Sequence, residues 1–107
     1  MFFVENTYQT SEVKLNFAES SPTGPPLVLL HGLPGHWQEF LPIFPDLGAS
    51  YQIFAVDLRG QGKSGRPGKY HASDYAPDII EFIQGYFGQP PAIRQISVHY
   101  FVISLHP

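Results

Sequence analysis

A chain of 107 residues that is 43% hydrophobic can close one small core but not two, so it forms a single domain or part of one. A formal charge of -3, with six scattered Lys and Arg, leaves no basic stripe to neutralise phosphates and excludes nucleic acid as an expected partner. The absence of cysteine removes disulfides, thiolate catalysis and Cys-based metal sites; no positive, apolar leader opens the chain, and its longest apolar run, near Tyr100 to Leu105, is far short of a bilayer, so a cytoplasmic protein with no membrane partner is expected.

Val13, Leu15 and Phe17 alternate with Glu12, Lys14 and Asn16, a period of two that predicts a strand with one solvated face. Phe2 to Tyr8 is expected to pair with it as a hairpin across Gln9 and Thr10. After the breaker SSPTGPP, Leu27 to Leu30 is apolar without alternation, the pattern of a strand covered on both faces. Trp37, Phe40, Leu41, Phe44 and Leu47 follow helical spacing, with Pro42 and Pro45 expected to bend or interrupt the helix. Tyr51 to Val56 (YQIFAV) predicts the next strand, closed by Asp57 and the glycine- and proline-rich turn LRGQGKSGRPGKY. Ser73 and Asp74 then offer a helix start, Ile79, Ile80, Phe82, Ile83, Tyr86 and Phe87 make a broad apolar face, and Gly88 a stop; Pro77 fits only if the helix begins close to it. A last apolar segment runs from Ala92. This order predicts an α/β fold in which an antiparallel hairpin leads into a mostly parallel sheet with flanking helices.

In such a sheet ligands gather beyond the carboxyl ends of the strands, and two unusual turns lie there: His31-Gly32-Leu33-Pro34-Gly35 after one strand and DLRGQGKS after the next. Glycine supplies backbone freedom and proline fixes φ, so HGLPG is a shaped turn. The Gly-Lys-Ser inside GQGKSG invites a phosphate-loop reading, but Asp57 stands where the first glycine of G-x-x-x-x-G-K-S is required, and GQGKSG lacks a full G-x-G-x-x-G opening a helix.

LVLLHGLPG followed by DLRGQGKSGRP, with the opening hairpin and the DYAPDIIEFI helix, resembles the N-terminal third of the α/β-hydrolase family. It is nearest in pattern to the esterases, epoxide hydrolases, dehalogenases and peptidases with an HGxPG or HGxP turn. The resemblance covers Met1 to about Ile93 and implies the N-terminal part of an α/β-hydrolase sheet, a small-molecule substrate in the intact family and no cofactor. It also implies that the HG turn supplies half of an oxyanion hole, with the main-chain N–H of Leu33 as the donor. A backbone amide in a proline-braced turn is oriented before charge develops, which is what that role requires. His31 is expected to be a packed, hydrogen-bonded residue, because the family's catalytic histidine comes much later. Asp57 is read as a structural cap of free amides. Trp37 could line a pocket beside the turn, although core packing is its expected use. The five histidines form no metal set: His31 and His36 have no carboxylate neighbour, and His71, His99 and His106 are spread without ligand spacing, so no metal is expected.

The family's next element is a strand leading into G-x-S-x-G or G-x-D-x-G, whereas RQISVHYFVISLHP contains no glycine. Ser97, between Ile96 and Val98, suits a strand interior and not an elbow, and no carboxylate follows Glu81 to orient His99. The organisation expected is residues 1–93 as the N-terminal part of a hydrolase domain and residues 94–107 as a divergent, extended tail replacing the nucleophile elbow. A frameshift, retained intron or wrong splice would produce such a change at one position. The expected function is that of a truncated hydrolase of esters, epoxides or similar bonds, inactive alone. The alternative is a noncatalytic binding module on the same half-fold, its exposed sheet edge open to self-association.

Overall fold

A computed structural model describes residues 3–88, 92–95 and 101–104 of the chain. Strands β1 (Phe3–Gln9) and β2 (Lys14–Ser20) form the expected antiparallel hairpin, in register from Phe3 opposite Ser20 to Gln9 opposite Lys14. Strand β1 runs through Gln9, and the turn is built one step later on Thr10. Its hydroxyl accepts from the Val13 N–H at 3.0 Å and its own N–H donates to the Val13 carbonyl at 2.9 Å.

Strands β3 (Pro26–Leu30), β4 (Gln52–Val56), β5 (Ala92–Gln95) and β6 (Phe101–Ser104) complete a sheet of order β1-β2-β4-β3-β6-β5. β3 and β4 are parallel, and the crossover between them carries the first helical segment. The other pairings, β1–β2, β2–β4, β3–β6 and β5–β6, are antiparallel, so the described sheet is mixed around one parallel pair. A link as short as that from Gln95 to Phe101 admits only the antiparallel choice, since a parallel return needs a crossover of a dozen or more residues. Extended structure is thus present at both described pieces of the C-terminal segment, and β5 crosses the expected boundary at residue 93. Ser97, His99 and His106 lie outside the described residues.

Strands β2, β3 and β4 are covered on two sides, which corrects the solvated face expected for β2. On one side Val13, Leu15, Phe17, Val28, Phe54 and Val56 pack with Leu58 and with Ile79, Phe82 and Ile83 of a long helix. On the other, Ala18, Leu27, Leu29, Ile53 and Ala55 pack with Trp37, Phe40 and Phe44. The period of two sorts alternate residues of each strand into these cores. Asn16, expected on the wet face, shares its side of β2 with Ala18 and is 4% exposed.

The segment from Trp37 is a 3-10 helix, Trp37–Ile43, followed by a short α-helix α1, Phe44–Leu47, rather than one α-helix. Pro42 and Pro45 carry no N–H to offer the carbonyls four residues back, and the tighter spacing takes over: the Phe44 N–H bonds to the Leu41 carbonyl. Helix α2, Ala72–Phe87, starts ahead of the expected Ser73–Asp74, with His71 as its N-cap. Asp74 is at the third helical position and its carboxylate accepts from the His71 N–H at 2.9 Å, so it serves the start without being the start. Pro77 sits inside the helix on an exposed face, where the Ser73 carbonyl that loses its partner is also exposed to water. Gly88 ends the helix as expected, at φ +69 with its N–H on the Gln84 carbonyl. Among the described residues no helix is long and apolar enough to cross a membrane.

Phe82 is fully buried, with its ring 5.0 Å from Phe17 and 5.7 Å from Tyr8. Phe82→Ala should lower the unfolding free energy by about 3–5 kcal/mol, read as an earlier urea midpoint at unchanged slope.

Candidate functional site

Because β3 and β4 run parallel in a register that pairs Leu30 with Val56, the turns that follow them leave the sheet side by side. His31–Gly35 and Asp57–Ser64 therefore face one another at the carboxyl ends of adjacent strands. The two sequence motifs meet there.

The imidazole of His31 is 2% exposed and uses both nitrogens: Nε2 accepts from the Leu58 N–H at 3.0 Å, and Nδ1 faces the Gly32 carbonyl. That pattern requires the neutral ring with its proton on Nδ1. Burial pushes its pKa below the ordinary histidine value, opposed by the Gly32 carbonyl and the charges of Asp57 and Glu39. His31 thus joins the two turns through their backbones. The expectation that His31 and His36 lack a carboxylate neighbour is corrected: Glu39 folds back and accepts from the His36 N–H at 3.0 Å. Among the described residues no three His, Asp or Glu side chains converge in a manner that would hold a metal ion.

Leu33 and Pro34 are exposed and joined by a cis peptide bond, and no described residue accepts a hydrogen bond from the Leu33 N–H. Two residues on, the Gly35 N–H donates to the Gln61 side-chain oxygen at 3.1 Å. A Cβ at Gly35 would lie 2.7 Å from the Gly32 carbonyl oxygen and 2.8 Å from His31 Nδ1, so this turn closes only on glycine. The turn is held at both ends while the donor between them points at nothing in the described chain.

Asp57, with no exposed surface, is the hub. Its Oδ1 accepts from the Trp37 N–H at 2.7 Å, and its Oδ2 from the Asn16 amide and the Lys63 N–H, both at 3.0 Å. A carboxylate at the end of β4 thus fixes the first residue of the 3-10 helix, a buried amide of β2 and the second turn. The turn reaches it through Gly62, at φ +51, where a Cβ would stand 2.3 Å from Oδ2. Buried Ser64 donates to the Asp57 carbonyl at 2.6 Å and accepts from the Asn16 N–H at 2.8 Å, stitching the turn to β2. Arg59, 1% exposed, makes two 2.7 Å bonds to Asp78 on α2, another to Glu12 at 3.0 Å and one to the Lys69 carbonyl at 2.9 Å. Its charge is fully engaged, and these carboxylates hold its pKa above the ordinary value.

Trp37 is 3% exposed, its ring against Phe3 and Phe44 and its indole N–H donating to Glu5 at 3.0 Å. Core packing is the use observed. Glu5, Asn16, Gln61 and Asp78 are site-supporting residues that sequence reasoning missed. Asp78 carried a signal: it lies four residues before Phe82 on the apolar stripe of α2, where a carboxylate needs a buried partner.

The chain belongs to the alpha/beta hydrolase fold family, whose model matches residues 25–95. It is 47% identical over 45 residues to a soluble epoxide hydrolase of Corynebacterium sp. (strain C12), covering 42% of this chain and 16% of that protein. It is 32% identical over 83 residues to a 2-(acetamidomethylene)succinate hydrolase of Mesorhizobium japonicum, covering 77% of this chain and 30% of the relative. An epoxide hydrolase structure from an endophytic Streptomyces superposes with a TM-score of 0.69 at 27% identity, covering 78% of this chain and 26% of that one. The chain therefore spans less than a third of the length of these relatives.

Two variants separate the hub from ordinary glycine strain. Gly62 and Gly68 both have positive φ, but a Cβ meets Asp57 only at Gly62; Gly68 has nothing within 4 Å. Each alanine substitution should cost about 1–3 kcal/mol for the left-handed backbone. Only Gly62→Ala should cost more than this and also shift the emission of Trp37, the sole tryptophan. Chemical denaturation followed by fluorescence reads both effects.

The neutral His31 makes stability fall in mild acid. Its folded-state pKa is depressed, so its contribution is fully present above the unfolded value of 6.5 and is lost as pH falls from there toward the folded value. Unfolding free energies measured across that window should decline in the wild type, and His31→Gln should flatten the decline at a lower overall stability.

Proposed function

We propose that this chain is the oxyanion-turn segment of a hydrolase acting on a small molecule with an epoxide, ester or similar bond. Leu33 offers its main-chain N–H as one of the two donors to the developing negative charge. The observation that carries the reading is the Leu33 N–H, without an acceptor among the described residues in a turn braced by the His31 ring and by the Gly35 N–H on Gln61. A donor held in place before reaction costs no reorganisation when charge appears. Relatives named as epoxide hydrolases and a succinate-derivative hydrolase support the substrate class, and the family match ending at residue 95 supports a division near residue 93.

The 107-residue polypeptide itself holds no G-x-S-x-G or G-x-D-x-G and no carboxylate beyond Glu81. A serine without an oriented histidine loses most of the cooperative rate enhancement of a triad. Hydrolysis of a short activated ester and of a styrene-type epoxide by this polypeptide should stay at background; turnover that disappears on Ser97→Ala would overturn the reading. The donor role is read in a fused enzyme in which this chain's matching segment replaces that of the Mesorhizobium hydrolase. Leu33→Pro, which removes the N–H, should lower kcat there by about 100- to 1,000-fold with the fold retained by circular dichroism. An unchanged kcat would reject Leu33 as a donor.

A further inference from the structure

Glu5, on the outer strand β1, belongs to neither of the turns that form the site. Its carboxylate nevertheless reaches the second turn at Lys63 and the helix start that follows the first at Trp37. Oε2 accepts from the Trp37 indole N–H and from the Asn16 side-chain amide, each at 3.0 Å. Oε1 accepts from Lys63 Nζ at 2.7 Å. Asn16 spends its other amide contact on Asp57 Oδ2, so the carboxylates of Glu5 and Asp57 are bridged by a buried amide. Trp37 is consequently gripped twice, by its backbone N–H on Asp57 and by its indole N–H on Glu5. It stands two residues after Gly35, where HGLPG hands over to the 3-10 helix.

We propose that Glu5 is a positioning residue for the oxyanion turn: by holding the Trp37 indole and the Asn16 amide in one carboxylate, it sets where the turn ends and so where the Leu33 N–H points. The inference rests on the oxyanion reading of Leu33. Only two torsions join indole to backbone, and with the ring packed against Phe3 and Phe44 an acceptor on its N–H restricts the rotation that the Asp57 bond alone would leave free. Charge-assisted contacts suit that duty because they are the stronger hydrogen bonds. Lys63, Asn16 and Trp37 keep the Glu5 carboxylate ionised, its pKa lowered to about 2, so the anchor is present throughout the neutral range.

The test uses the 107-residue chain and amide spectra of 15N-labelled protein, with the Trp37 indole, Gly35 and Leu33 resonances as readouts and the core amides of Val28 and Ala55 as references. In Glu5→Ala the three readouts should shift while the references stay. The indole N–H should exchange with solvent about tenfold faster or more, as expected on losing a charged acceptor. Glu5→Gln keeps an acceptor oxygen and should return the readouts to their wild-type positions. Glu5→Asp keeps the charge but withdraws the carboxylate by one methylene; it should shift the same resonances and provides the reading if the alanine variant does not fold. Leu33 and Gly35 unmoved in Glu5→Ala or Glu5→Asp, or an indole still displaced in Glu5→Gln, would overturn the proposal. These spectra involve no catalysis, so failure here is distinct from failure of the Leu33 donor in the fused enzyme.

Discussion

The buried carboxylate of Asp57 is the constraint on which the site depends. Removing an ionised group from water is expensive unless its lone pairs are met, and here N–H groups from β2, the 3-10 helix and the second turn meet them. The cost of burial makes the arrangement demanding: withdraw one donor and the charge is left partly unpaired. The glycine at position 62 follows from the same demand, since only a residue without a side chain lets the second turn approach the carboxylate so closely.

Around that hub the sheet supplies placement and the clamps supply rigidity. The parallel register of β3 and β4 delivers two turns to one edge, which is the geometric reason that strand ends host sites in such sheets. Left to themselves, the turns would be loops of exposed backbone. His31 pins one to the other, Ser64 ties the second to β2, and Arg59 ties it to α2 through Asp78. The residues of DLRGQGKS that resemble a phosphate loop are thus used up in holding the chain to itself. Their glycines serve carboxylate approach and turn geometry, and Lys63 faces Glu5.

Much of the frame was readable from the chain because its signals are local. Strands β3 and β4 announced themselves as apolar runs, Gly88 as a left-handed stop, and Asp57 as a cap by its place between a strand and glycine turns. The clamps were not readable for the opposite reason. Glu5 meets Trp37 and Lys63 across 32 and 58 residues, and Arg59 meets Glu12 across 47. No local pattern records such pairings. Asn16 was misread as solvated because alternation distinguishes two faces of a strand but does not say whether the second face is covered. The 3-10 helix lay between these cases: the prolines that broke the α pattern were visible, while the tighter hydrogen bonding that replaced it depended on packing Trp37, Phe40 and Phe44 onto the sheet.

What distinguishes Leu33 from its surroundings is the contrast in hydrogen bonding. Gly35, Trp37, Leu58, Lys63 and Asn16 all donate their backbone N–H to a side chain, whereas the Leu33 N–H has no acceptor among the described residues. Leu33 is 55% exposed, so its N–H needs no acceptor within the chain and faces outward from the turn's braced ends. On the proposed reading, an open donor in a turn braced by His31 and Gln61 is available to charge arriving from outside the turn. On that reading the charge comes with a substrate and a nucleophile, and the matched relatives are chains more than twice the length present here.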